Sequence, residues 1–88
     1  MFDKNKNKKE FVYINIFSKE DKIYLFFVNI ERNIFIKHII SSDSLKDHKM
    51  HDTVKKVCFE NGFKYVFIKM SVYGKNIQFT IDLSKEIF

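Results

Sequence analysis

The sequence predicts an α+β fold with the element order βββ-α-ββ, in which a mainly antiparallel sheet carries one helix on one face. Segments rich in aromatic and β-branched residues, most of them alternating between apolar and polar positions, are typical of strands. Between the third and fourth of these segments the apolar spacing changes to three and four residues, which indicates a helix. The length of 88 residues allows one domain at most.

Three strands are predicted before the helix. In the first, Val12, Ile14 and Ile16 form one face and the aromatic residues between them form the other. A polar turn separates it from an apolar run that predicts the second strand, and a short Glu-Arg-Asn turn precedes the third. The predicted strands span residues 11–17, 23–30 and 34–40.

The helix is predicted over residues 45–60. Ser41 to Ser44 supply side chains that cap helix N-termini, and Asn61-Gly62 is a typical C-terminal stop. The apolar face consists of Met50, Val54, Val57 and Cys58.

Two further strands are predicted after the helix. The first spans residues 65–72, and Tyr73 to Asn76 form a turn. Ile77, Phe79, Ile81 and Leu83 then alternate with polar residues, which predicts a half-buried final strand.

One domain is expected over residues 10–88, preceded by a basic tail over residues 1–9. This tail is either a solvated chain end or an arm that becomes ordered on nucleic acid. Its basic residues are Lys4, Lys6, Lys8 and Lys9.

The first two strands are apolar on both faces, and one helix can cover only one face of a sheet. Phe11, Tyr13 and Phe17 therefore need a second cover. A closed barrel, a partner surface or stacked bases would each provide one, so we expect this chain to act with a partner.

Charge and composition exclude several classes of protein. The 16 basic and 11 acidic residues give a net charge of +5, which excludes an acidic nucleic-acid mimic, and the single Cys58 excludes a disulfide scaffold. Lys, Ile, Phe and Asn dominate the composition, which indicates an AT-rich genome such as that of an organelle, a virus or a low-GC bacterium. No apolar segment is long enough to span a membrane, so no membrane association is expected.

We expect neither a catalytic site nor a metal site. We also expect that the protein binds no cofactor and no small-molecule substrate. His48, His51 and Cys58 share the predicted helix but lack further ligands. The carboxylates fall mostly in turns or on the helix, and Gly62 and Gly74 are isolated rather than part of a phosphate-binding loop. The βββ-α-β order of elements along the chain is similar to that of ribonuclease H-like enzymes, but the first strand lacks the metal-binding acid that their chemistry needs.

Several segments are similar to those of one ribosomal family. Residues 14–18 and 20–28 are similar to the family's first strand, turn and second strand. Residues 58–69 are similar to its helix-Gly-strand stretch. Residues 81–84 are similar to its last strand. Over roughly residues 11–84 the chain thus resembles the small-subunit ribosomal protein eleven family, the universal platform proteins, in a shortened form.

The resemblance implies a structural constituent of the small ribosomal subunit that binds rRNA and neighbouring ribosomal proteins at the platform during translation. The family's Gly-rich rRNA-binding loop is reduced here to residues 73–76. An organelle-encoded mitochondrial ribosome is the expected location, with a cytoplasmic one as the alternative. The RNA-binding residues expected on this basis, including those of the basic tail, are Lys4, Lys6, Lys8, Lys9, Lys37, Gly74, Lys75 and Asn76.

Two other functions remain open from the residues alone. The element order is also that of the OB barrel, so a free single-stranded nucleic-acid-binding module is one alternative. A small phage- or plasmid-encoded inhibitor that binds a protein target is the other.

Overall fold

The computed structural model describes residues 8–45 and 49–83. It confirms an α+β fold in which three strands, one helix and two strands follow one another. The strands are β1 (Phe11–Lys19), β2 (Lys22–Asn29), β3 (Ile34–Ser41), β4 (Tyr65–Val72) and β5 (Lys75–Asp82), and the helix is α1 (Lys49–Asn61). Short 3-10 turns at Lys8–Glu10 and Ser42–Leu45 precede β1 and follow β3.

The strands form one open five-stranded sheet in the order β3-β2-β1-β4-β5. β1 and β4 are parallel, whereas the other three pairs are antiparallel. A parallel pair needs a long crossover, which β2, β3 and α1 together provide. The sheet is therefore mainly antiparallel, as predicted, and β3 and β5 are its edges.

One face of the sheet packs against α1. Val54, Val57 and Cys58 of the helix join the inward-facing side chains of β1, β2 and β4 in a single apolar core. The fully buried strand residues include Ile14 and Ile16, and Leu25 and Phe27. This burial follows the period-2 pattern of the strands and is the main source of stability in so short a chain.

The helix and the last turn differ from their predicted bounds. The helix begins at Lys49 rather than Leu45, because Ser42–Leu45 form a 3-10 turn, and residues 46–48 lie outside the described part of the chain. The turn before β5 has two residues rather than four, since Lys75 already pairs with Val72. Tyr73 and Gly74 adopt φ values of 48° and 82°, as a tight hairpin requires.

The prediction of a half-buried final strand was wrong for most of β5. Ile77 and Phe79 are 48% and 39% exposed. β5 is an edge strand, and a cleft of about 90 Å³ lies between its Phe79 and Met50 of α1. Only the end of the strand, at Ile81, packs against the core.

Asn29 ties the start of the domain to the sheet. It is the one buried polar residue among those described, and its amide donates to the carbonyl oxygen of Phe11 at 2.6 Å. Its Oδ1 accepts from the backbone N–H of Arg32 at 2.8 Å. The guanidinium of Arg32 donates to the carbonyl of Asn61 and lies 5.2 Å from the ring centroid of Phe63. The only arginine of the chain is thus part of the fold.

Replacing Asn29 with leucine is expected to lower the free energy of unfolding by about 1–3 kcal/mol, because its buried hydrogen bonds with the Phe11 carbonyl and the Arg32 N–H are lost. Urea unfolding followed by circular dichroism measures the change. The control, Gln78→Leu at an exposed position, should change it by no more than about 0.5 kcal/mol. Equal effects of the two substitutions would contradict the role given to Asn29.

No helix in the described part of the chain is long and apolar enough to cross a membrane.

Candidate nucleic-acid interface

The face of the sheet opposite α1 carries most of the aromatic rings of the chain. The strand residues that alternate with the core point to this side, and none of the described elements covers it. We call this surface the open face. Its aromatic residues on the three central strands are Phe11, Tyr13, Phe17, Tyr24, Phe26, Tyr65 and Phe67.

These rings lie in two groups on the open face. Ring cluster one comprises Phe11, Tyr13, Tyr65 and Phe67, and ring cluster two comprises Phe17, Tyr24 and Phe26. In cluster one the Tyr13 and Phe67 centroids are 5.3 Å apart with 15° between the ring planes. In cluster two Phe17 stacks on Tyr24 at 5.2 Å and 8°. Neighbouring rings therefore shield one another partly while 40% of Tyr13 stays exposed.

A line of residues crosses the sheet beside ring cluster one, and it is polar on every strand except β2, where Phe26 of ring cluster two occupies it. Strand register places Lys37 opposite Phe26, Phe26 opposite Asn15, Asn15 opposite Lys69, and Lys69 opposite Gln78. We call Lys37, Asn15, Lys69 and Gln78 the polar row. All four side chains are exposed. Neighbouring strands are about 4.8 Å apart, so Lys37 and Lys69, three strands apart, are separated by roughly 14 Å.

The charge on the open face is mainly positive. The strand positions that point to this side include four lysines and one carboxylate, and the lysines lie on β1, β2, β3 and β4. The charged residues are Lys19, Lys22, Lys37, Lys69 and Asp82. Such a surface attracts polyanions, and its attraction weakens as salt screens the charges.

The predicted RNA-binding residues do not form one cluster. Lys8 and Lys9 precede β1 at one end of the sheet, whereas Gly74 and Asn76 lie at the other, where Tyr73 donates its backbone N–H to Ser18 Oγ at 2.9 Å. The nine residues of β1 separate these ends by about 26 Å. Lys37 lies between them in the polar row. Lys4 and Lys6 lie outside the described residues.

Lys75 and Asn76 are adjacent in sequence but lie on opposite faces of the sheet. Asn76 pairs with Ser71 on the open face and accepts a hydrogen bond from its hydroxyl at 2.7 Å. Lys75 pairs with Val72, whose side chain is buried on the helix side. Lys75 therefore lies at the sheet's end on the side of α1.

Three residues of the open face were missed as binding candidates: Asn15, Lys69 and Gln78. The alternation of β1 and β4 already placed Asn15 and Lys69 with aromatic residues rather than with the core, and that of β5 placed Gln78 on its polar side. The signal that would have identified them is the register between strands, which aligns them in one row and which the sequence does not give.

Cys58 and His51 are seven residues apart on the same side of α1 but differ in burial. Cys58 is fully buried, and burial raises the pKa of its thiol to about 12, so the protonated form persists at neutral pH. His51 is exposed, and His48 lies outside the described residues. Within residues 8–45 and 49–83 no group of three His, Cys, Asp or Glu side chains is arranged to hold a metal ion.

Comparison of the chain with protein-family models, with curated proteins and with solved structures found no match. The arrangement of rings, lysines and amides on the open face is therefore the basis for inferring what the protein does.

Proposed function

We propose that this protein is an RNA-binding structural constituent of the small ribosomal subunit, located at the platform and encoded in a mitochondrial genome. Its partners are small-subunit rRNA and the neighbouring ribosomal proteins. The observation that carries the proposal is the open face, on which no described element covers the seven aromatic residues of the central strands or the row that contains two lysines.

The chemistry of the open face suits RNA better than an apolar protein partner. Aromatic rings provide stacking surfaces for bases, and lysines neutralise phosphates. Asn15 and Gln78 add hydrogen-bond donors and acceptors in the same row. An apolar protein partner would have to desolvate Lys37 and Lys69 without pairing their charges, which is unfavourable.

The segment that carries the family resemblance has a defined local structure. α1 ends at Asn61, Gly62 adopts a φ of 73°, and the N–H of Phe63 bonds to the carbonyl of Cys58 at 2.8 Å. β4 then begins at Tyr65 as the parallel neighbour of β1. This helix-Gly-strand connection supports the ribosomal assignment, since it forms as the resemblance implies.

A free single-stranded nucleic-acid-binding protein is the second candidate, because the open face would serve it equally well. The described strands do not close into the OB-like barrel that this alternative assumed, since β3 and β5 are the two edges of an open sheet. A protein-binding inhibitor would also use an uncovered sheet face.

Sedimentation of the tagged chain from its native source tests the ribosomal proposal. We expect the protein to migrate with small subunits and to stay with them after a high-salt wash, since an assembled subunit also holds it by buried apolar contacts. Recovery at the top of the gradient would contradict the proposal. Sequencing of co-purified RNA and identification of co-purified proteins then separate the other two functions.

Lys75→Glu is expected to lower incorporation into small subunits, because Lys75 stands where the family's Gly-rich loop contacts rRNA and a reversed charge repels phosphate. The thermal midpoint should shift by only a few degrees, since the residue is exposed. Quantitative immunoblotting across the gradient measures incorporation, with Lys56→Glu on the helix as the control. Normal incorporation of both variants would make residues 73–76 an ordinary turn.

A further inference from the structure

We propose that the open face binds an unpaired RNA segment by stacking its bases on the two ring clusters. This inference rests on the proposed RNA-binding function and specifies which form of RNA the face recognises. A base-paired helix keeps its bases stacked on one another, so their faces are out of reach of the rings.

The spacing of the ring clusters suits separate, unstacked bases. Tyr13 and Phe17 are four residues apart on β1, which corresponds to about 13 Å along the strand. Successive bases within a stacked strand are only about 3.4 Å apart. The distance of about 13 Å is that between bases about four apart in such a strand. Because stacked bases cover one another's faces, bases that stack on both clusters belong to a segment whose own stacking is broken, as in a loop or a single strand.

The polar row provides the contacts that such a segment needs between its bases. Asn15 lies midway between Tyr13 and Phe17 on β1, and Lys69 is its register partner on β4. A backbone that crosses the sheet along this row meets Lys37 and Lys69 and passes Phe26 of ring cluster two between Lys37 and Asn15, while its bases turn to either side. Lysine acts there as a point charge, which contacts phosphate without selecting a sequence.

A depression beside ring cluster one offers room for one base. It has a volume of about 390 Å³ and lies among Phe11, Tyr13 and Val28, with Lys8 also lining it. This volume falls in the range typical of small-ligand sites. A base seated there would contact apolar side chains, and the depression is lined by one cation, Lys8, and one carboxylate, Glu31.

The charges on the open face favour single-stranded RNA over a protein as its ligand. Four lysines on β1 to β4 point to the open face, namely Lys19, Lys22, Lys37 and Lys69. Among the strand residues that point to this face, the one acidic side chain is Asp82 on β5. Stacking combined with phosphate neutralisation is how proteins bind single strands without sequence preference.

Fluorescence anisotropy with the full chain tests the proposal. The probes are a labelled unpaired RNA of about 12 nucleotides, the length range that a single stacking surface covers, and the same strand annealed to its complement. We expect the unpaired probe to bind at least about tenfold more tightly than the duplex. The double substitution Tyr13→Leu with Phe67→Leu keeps apolar bulk on the sheet but removes both rings.

The double variant should lose at least about fivefold in affinity for the unpaired probe, the minimum expected when stacking of one base is removed. Phe59→Leu, an exposed ring on α1, is the matched control and should bind as the wild type does. Circular dichroism confirms that each variant is folded. If the double variant is unfolded, Tyr13→Leu alone, at a residue that is 40% exposed, replaces it with the same expectation.

Three results would overturn the stacking proposal, and they differ in what they say about RNA binding. The first is equal affinity for both probes, and the second is unchanged affinity of the folded ring variants. Either result would mean that the protein binds RNA through phosphate contacts and not by stacking. Absence of binding to either probe at low salt by the folded chain removes direct RNA binding by the free protein as well. Co-sedimentation with small subunits is scored separately, so a failure of stacking is distinguished from a failure of the ribosomal assignment.

Discussion

Replacing Phe27 with alanine is expected to destabilise the protein more than any other single change considered for its core. Phe27 is fully buried, and its ring meets His38 edge-on at a centroid distance of 5.9 Å. Removal of a buried phenylalanine ring costs about 3–5 kcal/mol. A chain of this length has a total free energy of unfolding of only about 4–13 kcal/mol, so this single change should remove from about a quarter to all of it.

Urea unfolding measured by circular dichroism tests this expectation. Phe59→Ala is the matched control, because it removes the same ring from a position that is 51% exposed on α1. Its free energy of unfolding should fall by clearly less than that of Phe27→Ala, because about half of this ring is already exposed in the folded protein. If the two substitutions had equal effects, Phe27 would not occupy the centre of the core.

Neutralising both lysines of the polar row is expected to weaken binding of unpaired RNA by roughly 25-fold at about 0.1 M salt. Each phosphate contact on a single strand contributes about 0.7 to the slope of log K against log salt. Loss of two contacts therefore lowers the slope by about 1.4. Over the one decade of salt between about 1 M, where the contacts no longer contribute, and about 0.1 M, log K then falls by about 1.4, which is roughly 25-fold. The variant is Lys37→Gln with Lys69→Gln, and anisotropy titrations at several salt concentrations measure both the affinity and the slope.

The matched control for this prediction is Lys55→Gln with Lys56→Gln, which lowers the net charge by the same amount on α1. It should keep both the affinity and the salt slope close to those of the wild type. A general effect of net charge would weaken both double variants equally, and that result would contradict a defined path for phosphates along the polar row.

The sequence was sufficient to predict the order of elements because each strand and the helix carry a clear period of apolar residues. Val12, Ile14 and Ile16 predicted the buried side of β1, and all three lie in the core. The fourth strand was predicted with its observed bounds, Tyr65–Val72. The exposed aromatic side of β1 was also anticipated, since one helix cannot cover both faces of a sheet.

The arrangement of the strands could not be predicted, because period-2 patterns specify faces and not neighbours. The parallel pairing of β1 with β4 brings Tyr13 beside Phe67 and Asn15 beside Lys69, although more than fifty residues separate each pair in sequence. The candidate site depends on this pairing. Lys37 was identified in advance, whereas Lys69 and Gln78 required the register.

The exposure of β5 was missed for a related reason. Its alternation is as regular as that of β1, but the strand lies at the edge of the sheet, where α1 does not reach Ile77. Alternation shows that one face is apolar and does not show that another element covers it. A helix of 13 residues spans only about 20 Å, too short to cover every strand.

The central claim, that RNA contacts the open face, is tested most directly by NMR titration of the labelled protein with unpaired RNA. The side-chain amide signals are suited to this purpose because they report on single faces. Asn15 and Gln78 lie on the open face, whereas Asn61 donates its amide to the carbonyl of Val57 at the end of α1. We expect the Asn15 and Gln78 signals and the ring signals of Tyr13 to shift together as RNA is added, and the Asn61 signal to stay in place. Shifts confined to Asn61 and other residues of α1, with the Asn15 and Gln78 signals unchanged, would contradict the account.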